Sequence, residues 1–197
     1  MKLGLDPGRL SGEAPPTTFY LVRHAHAEWS PEENRSLSFR GQQTAQQVAK
    51  LLMSFPIEAI YASSYRRAIQ TVQPLASRLG LDIQIEPGFR ERDLGEWSAP
   101  GFAEAVRRTW SNPEFAFPGG ETNLQAQRRG VAGLQELVQA QPGRQIVIGT
   151  HGNLLALILN HYDPGVGYNF WSRLTLPDVY RLQVEASGNA HWARIWE

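Results

Sequence analysis

Arg23 and His24 are the first residues in this chain placed for chemistry on an anion. They directly follow the apolar run Thr17-Thr18-Phe19-Tyr20-Leu21-Val22. That run reads as a buried strand, and it delivers the pair to the strand's C-terminal end. In an open α/β sheet, ligands bind outside that end. The guanidinium is a permanent cation whose fork matches a pair of phosphate oxygens. The imidazole beside it is a nucleophile or proton carrier near neutral pH. Together they point to phosphoryl chemistry. The plain alternative is a solvated strand end.

Three further segments bear on that choice. Ser63-Ser64-Tyr65-Arg66-Arg67 follows a second apolar run, Ile57 to Tyr61. The serines are candidate N-caps, and the arginines fall in the first turn of a helix. Cations there oppose the helix dipole, which favours anions at that end. Their placement makes sense if an anion binds there; the alternative is a solvated basic pair. Gln145 to Gly149 ends on Thr150-His151-Gly152-Asn153. This is a second strand-end histidine, followed by a glycine that lets backbone approach a ligand. A structural histidine is the alternative. Arg90-Glu91-Arg92-Asp93-Leu94-Gly95-Glu96-Trp97 is a carboxylate-rich loop that offers a proton donor, or else a solvated charged loop. Two histidines and two arginines, each just past a strand, converge on one pocket if the strands share a sheet edge.

Periodicity and punctuation predict the elements that position these groups. Strands are expected over Thr18–Arg23, Ile57–Tyr61, Leu81–Ile85 and Gln145–Gly149. Ser38 is a plausible N-cap for a helix over Gln42–Ser54, with a stripe of Ala45, Val48, Ala49, Leu51 and Leu52. Tyr65–Leu79 reads as a helix closed by Gly80. Loop-rich segments cover Gly88–Pro100 and Ser111–Gly120. Helices are expected over Phe102–Trp110, Glu121–Gln139 and Asn153–Leu159. Val179–Val184 and His191–Trp196 flank Ser187-Gly188-Asn189 as a closing hairpin. The alternation predicts an α/β fold: a three-layer αβα sandwich with a mainly parallel sheet, helices on both faces and an antiparallel edge hairpin.

Composition narrows the function classes. The chain has 197 residues, 42% of them hydrophobic, with 19 basic and 19 acidic residues. That is an ordinary globular balance. The zero net charge supplies no field to recruit nucleic acid or an anionic membrane, and neither is an expected partner. Anion binding must come from a local cluster. No stretch is long and apolar enough to span a bilayer. There is no cysteine, which removes disulfides, thiolate nucleophiles and zinc-thiolate sites. Cytoplasmic residence is the expectation. Residues 1–16, rich in Gly and Pro, are expected to be a flexible arm ahead of one domain over 17–197. The sequence assigns no oligomeric state.

The chain resembles the histidine phosphatase superfamily, the phosphoglycerate mutase-like group. Its strand-Arg-His-Gly signature matches Leu21-Val22-Arg23-His24-Ala25, with alanine in the glycine slot. An acidic residue and tryptophan match Glu28-Trp29. The Ser-x-x-x-Arg-Ala-x-x-Thr block matches Ser63, Arg67, Ala68 and Thr71. The Glu-x-x-x-Gly-x-Trp block matches Glu91, Gly95 and Trp97. Pro118-Gly119-Gly120-Glu121-Thr122 and His151-Gly152 complete the series.

The resemblance implies a metal-independent, cofactor-free phosphomonoesterase acting on a small phosphorylated substrate. His24 becomes the nucleophile that forms a phosphohistidine, its other ring nitrogen held by a backbone carbonyl. Arg23, Arg67 and a protonated His151 hold phosphoryl oxygens, and Glu91 is the acid and base. Gly152 and Ser30 are expected at the phosphate, with Asn153 at the substrate pocket; His26, unusual for the family, either lines the pocket mouth or is merely exposed. The chain departs from the family pattern at Ala27, where Ser or Thr is common, and at Ser30, where Asn is common. One or two phosphate contacts are therefore either missing or supplied by Ser30 or Asn153. Pro31–Asn34 and Gly101–Phe117 are the expected pocket walls, with Phe102, Trp110, Phe115 and Phe117 either facing substrate or packing the lid. A cofactor-dependent phosphoglycerate mutase and a non-catalytic phospho-ligand binder are the rival readings.

Overall fold

The computed structural model describes residues 15–28, 30, 34–97 and 101–197. Most of the expected N-terminal arm, Trp29, most of the Pro31–Asn34 wall and the 98–100 stretch lie outside the described residues.

The first strand, β1, spans Thr17–Arg23. Its side chains alternate: Phe19 and Leu21 enter one core, Tyr20 and Val22 the other. A strand buried on both faces reads as a continuous apolar run, and this one does. Ser38 caps the next helix, α1 (Phe39–Leu52), its hydroxyl accepting from the Gly41 N–H at 3.0 Å. The cap is as expected, and the helix begins three residues before Gln42.

After β2 (Ala59–Ala62) comes α2 (Arg66–Leu79), closed by Gly80 in the left-handed region at φ 67°. Neither Ser63 nor Ser64 caps α2, contrary to expectation. Its N-cap is Tyr65, with no side-chain cap bond. A short β3 (Ile83–Ile85) leads into a single 3-10 turn over Pro87–Phe89, inside the segment expected as loop.

Beyond it, α3 covers Phe102–Ser111 and α4 Asn123–Ala140. Thr122 and Gln125 form a reciprocal capping box at the start of α4, so that helix starts two residues later than expected. Strand β4 (Gln145–Thr150) is followed at once by α5 (Gly152–Tyr162). A short α6 (Tyr168–Trp171), too brief for a periodic signal, precedes β5 (Asp178–Val184) and β6 (Ala190–Arg194).

The six strands form one sheet in the order β3-β2-β4-β1-β5-β6. The first four are parallel, and β5 and β6 run antiparallel at one edge. Val48, Leu52, Val72 and Leu75 of α1 and α2 pack one face. Ala126 and Leu134 of α4 and Leu154 to Leu159 of α5 pack the other. The αβα sandwich with its antiparallel edge hairpin is thus the fold. No helix among the described residues is long and apolar enough to cross a membrane.

Candidate active site

The site forms where adjacent strands send their chains to opposite faces. β1 and β4 are parallel neighbours, with Arg23 opposite Thr150. The chain leaving β1 builds α1 on one face, and the chain leaving β4 builds α5 on the other. Such a switch point opens a crevice at the strands' carboxyl ends. Ladder bonds continue past the strands: His24 N donates to Thr150 O and Ser63 N to Gly149 O, both at 2.9 Å. His24 and Ser63 therefore flank His151 on the two neighbouring strand ends.

The imidazoles of His24 and His151 lie 5.3 Å apart, centroid to centroid, in an edge-to-face pose. The Nδ1 of His24 is 2.7 Å from the Ala25 carbonyl. A carbonyl only accepts, so Nδ1 carries the proton and Nε2 keeps its lone pair. Burial, with Arg67, Arg23 and Arg35 adding repulsion, lowers the His24 pKa to about 3. The ring is neutral near neutral pH. A separate bond fixes the backbone: Ala25 N donates to Thr71 Oγ1 at 2.9 Å, and Thr71 Oγ1 donates to Arg67 O at 2.7 Å. The loop carrying His24 is thereby tied to the helix carrying Arg67.

His151 is fully buried and is the N-cap residue of α5. Its Nε2 is 2.7 Å from Ser63 Oγ, and its ring meets Tyr65 edge-on at 5.0 Å. Its Nδ1 has no partner among the described residues. Burial first, then His24 and the neighbouring arginines, push its pKa well below the usual value. The ring was expected to be protonated; its burial and the neighbouring cations favour the neutral form instead. Among the described residues, no carboxylate raises the pKa in compensation.

The guanidinium groups close the cradle. Arg67 is buried and stacks on the Tyr65 ring, its Cζ 4.6 Å from the ring centroid. Arg23 Nη1 donates to the carbonyls of Leu174 and Thr175 at 2.8 and 3.2 Å. That turn is held by Asp178, fully buried, which accepts from Thr175 N at 2.9 Å and from Arg194 Nε at 2.8 Å. Gly152 lies against Arg23: a Cβ on it would sit 2.8 Å from Arg23 Nε. Burial lowers the pKa of Arg23, and Glu91 and Asp178 oppose that shift.

Glu91 sits at the first turn of α5. Its Oε1 accepts from Arg92 N and Leu154 N at 2.9 and 3.0 Å, and its Oε2 from Asn153 N at 3.1 Å. A carboxylate at a helix N-terminus meets both orphan N–H groups and the positive end of the dipole. The carboxyl is thus anchored one turn from His151.

The other expected contacts divide. Asn153 Oδ1 accepts from Trp110 Nε1 at 3.0 Å, so the side chain joins α5 to α3. The Nδ1 of His26 is 2.8 Å from Ser38 Oγ, which ties its ring to the cap of α1. Ser30 is half-buried, between positions outside the described residues. In the lid, Arg108 stacks over Phe115 at 4.1 Å and Phe117 at 5.6 Å, so those two rings pack the lid. Phe102 stays 54% exposed, 5.8 Å from Trp97 and 6.2 Å from Trp171. A separate cavity of about 500 Å³, lined by Arg107, Trp110 and Tyr168 among others, contains none of the cradle residues.

Sequence reasoning missed two participants and left the role of a third open. Arg35 carries no motif, yet its charge reaches both imidazoles. Asp178 acts through strand pairing that no local pattern reveals. Ser63 was visible as the first residue of the Ser-x-x-x-Arg block but also suited capping. Among the described residues, no group of three or more His, Cys, Asp or Glu side chains is placed to hold a metal ion.

The profile of the histidine phosphatase superfamily, branch 1, matches residues 19–195. The chain belongs to that family, and its class is that of a phosphomonoester hydrolase. A probable phosphoglycerate mutase of Enterobacter sp. is 37% identical over 82 residues, which cover 39% of this chain and 38% of that protein. A phosphoglycerate mutase-like protein of Arabidopsis thaliana is 28% identical over 89% of this chain and 83% of its own. An uncharacterised phosphatase of Bacillus subtilis is 26% identical over 76% of this chain and 79% of its own. The solved structure of Bacillus stearothermophilus YhfR matches with a TM-score of 0.74 and 26% identity, over 91% of this chain and 96% of that one.

Proposed function

We propose that this protein hydrolyses a small phosphomonoester without a metal, through a phosphohistidine on His24. The observation that carries the reading is the neutral His24 ring, its Nδ1 committed to Ala25 O at 2.7 Å, beside the guanidinium groups of Arg67, Arg23 and Arg35. Nε2 donates its lone pair to phosphorus as the bond from phosphorus to the ester oxygen breaks. Glu91 protonates the departing alkoxide. It then takes a proton from the water that attacks the phosphohistidine and frees phosphate. Arg23, Arg67 and His151 hold the equatorial oxygens, where charge accumulates in the transition state. An arriving phosphate dianion opposes the burial, and offsets the repulsion, that together keep His151 neutral. The guanidinium groups supply the positive charge that a metal supplies in other phosphatases.

A mutase must retain a doubly phosphorylated intermediate, and the names of two relatives keep that reading in play. Of the two lid arginines, Arg108 is committed to Phe115. Arg107 lines the separate cavity that contains none of the cradle residues, which favours hydrolysis.

The test is an assay on p-nitrophenyl phosphate and 3-phosphoglycerate with a chelator present. Release of phosphate is expected, undiminished by the chelator. His24→Ala abolishes it, and Glu91→Gln lowers kcat on the order of a hundredfold. Isomerisation of 3-phosphoglycerate faster than hydrolysis establishes the mutase. No turnover on a broad panel of phosphomonoesters leaves the silent binder.

A further inference from the structure

We propose that Arg35 is a third guanidinium arm of the phosphoryl cradle, standing in for the neutral hydroxyl that Ala27 removes. The inference rests on the phosphatase reading above.

The segment around Arg35 is strapped between the two pieces of chain that carry His24 and Arg67. Asn34 Oδ1 accepts from Arg66 N at 2.9 Å, and Ser36 Oγ from Arg66 Nη1 at 3.3 Å. Leu37 N donates to Gln70 Oε1 at 2.8 Å. Leu37 also bridges Ala27 in antiparallel fashion. Three of these contacts lock residues 34–37 onto the first turns of α2, and the fourth onto the loop after β1. Arg35 lies in the middle of this strap with its Nε buried and no acceptor among the described residues. A buried donor without an acceptor destabilises the free protein, and a ligand oxygen supplies what is missing. The neighbouring Arg66 is tied to Ser36 and Arg23 to Leu174, whereas Arg35 Nε has no such tie among the described residues. Its charge falls on both His24 and His151.

The chemistry fits the substitution. Where Ser or Thr would contribute one neutral hydroxyl, Ala27 contributes nothing. An arginine contributes charge and a fork matched to phosphate oxygens. Its effect is largest where the equatorial oxygens gain charge, so it belongs to the transition state more than to ground-state binding.

The experiment uses the full chain with Arg35→Gln and Arg35→Lys, assayed for p-nitrophenyl phosphate hydrolysis and for inhibition by vanadate and by inorganic phosphate. For Arg35→Gln, kcat falls on the order of a hundredfold with KM changed far less. Vanadate inhibition weakens by a similar factor, and phosphate inhibition weakens less. Arg35→Lys recovers part of the loss, and the thermal midpoints of both variants match the parent. Unchanged kcat and vanadate inhibition in Arg35→Gln overturn the proposal. A lowered midpoint with normal vanadate affinity in the folded fraction overturns it as well, because that is a structural role. If the parent protein neither turns over phosphomonoesters nor binds vanadate, the phosphatase reading itself fails.

Discussion

At pH 7 the half-buried His24 ring and the fully buried His151 ring are neutral, with guanidinium groups around them. Unfolded, each imidazole titrates near 6.5. Folded, His24 falls to about 3, and His151 lies well below its ordinary value, for the same reasons of burial and nearby cations. Above 6.5 both rings are neutral in both states, and their titration contributes nothing. Below it the unfolded chain takes up protons that the folded one refuses. Stability therefore falls as pH falls, by up to about 1.4 kcal/mol per pH unit for each histidine. Denaturant unfolding is expected to show a loss of roughly 2–4 kcal/mol between about pH 7 and about pH 5. A flat profile over that interval contradicts neutral burial of the pair. Added phosphate or vanadate should reverse part of the loss, because a ligand that binds only the folded state stabilises it. At this scale the sequence was informative about residue types. Arg23, His24, Arg67, Glu91 and His151 all stand at the crevice or beside it. It was silent about protonation, which depends on desolvation that only the packed environment sets.

Between elements, the start of α5 fits closely against Arg23. Gly152→Ala places a methyl 2.8 Å from Arg23 Nε and 3.0 Å from its Cζ. The guanidinium must then leave its place beside the Leu174 and Thr175 carbonyls. Alanine is the better helix former by up to about 1 kcal/mol, so stability changes little. The expected result is a fall in kcat/KM of roughly tenfold or more at near-normal thermal midpoint. Full activity in this variant shows that Arg23 works from another position. Helix starts show how far local pattern reaches. Ser38 was legible as a cap because its hydroxyl meets Gly41 N within one turn. Ser63 satisfied the same local rule. However, it is fully buried and lies 2.7 Å from the His151 ring, a partner 88 residues away. A long-range bond to a buried nitrogen prevailed over a solvent-side cap.

Across the whole molecule, the two cores on either side of the sheet hold the strand ends in register. Leu155 is fully buried among α4, α5 and the sheet. Leu155→Ala is expected to cost about 2–5 kcal/mol, read from denaturant unfolding. The folded fraction should keep nearly normal kcat, because Glu91 is held by backbone N–H groups of Asn153 and Leu154 that the truncation leaves in place. A loss below about 1 kcal/mol shows that the site collapses onto the gap. By itself, the sequence determined the kinds of element and the groups each carries, since apolar period, turn residues and caps act over a few residues. It also determined that phosphate chemistry comes from a local cluster, because the net charge is zero. Tertiary structure alone decided that β4 enters between β1 and β2. That order makes His24, His151 and Ser63 neighbours. It arises from burying two helix pairs on opposite faces of one sheet, a requirement of the whole chain that no short segment encodes.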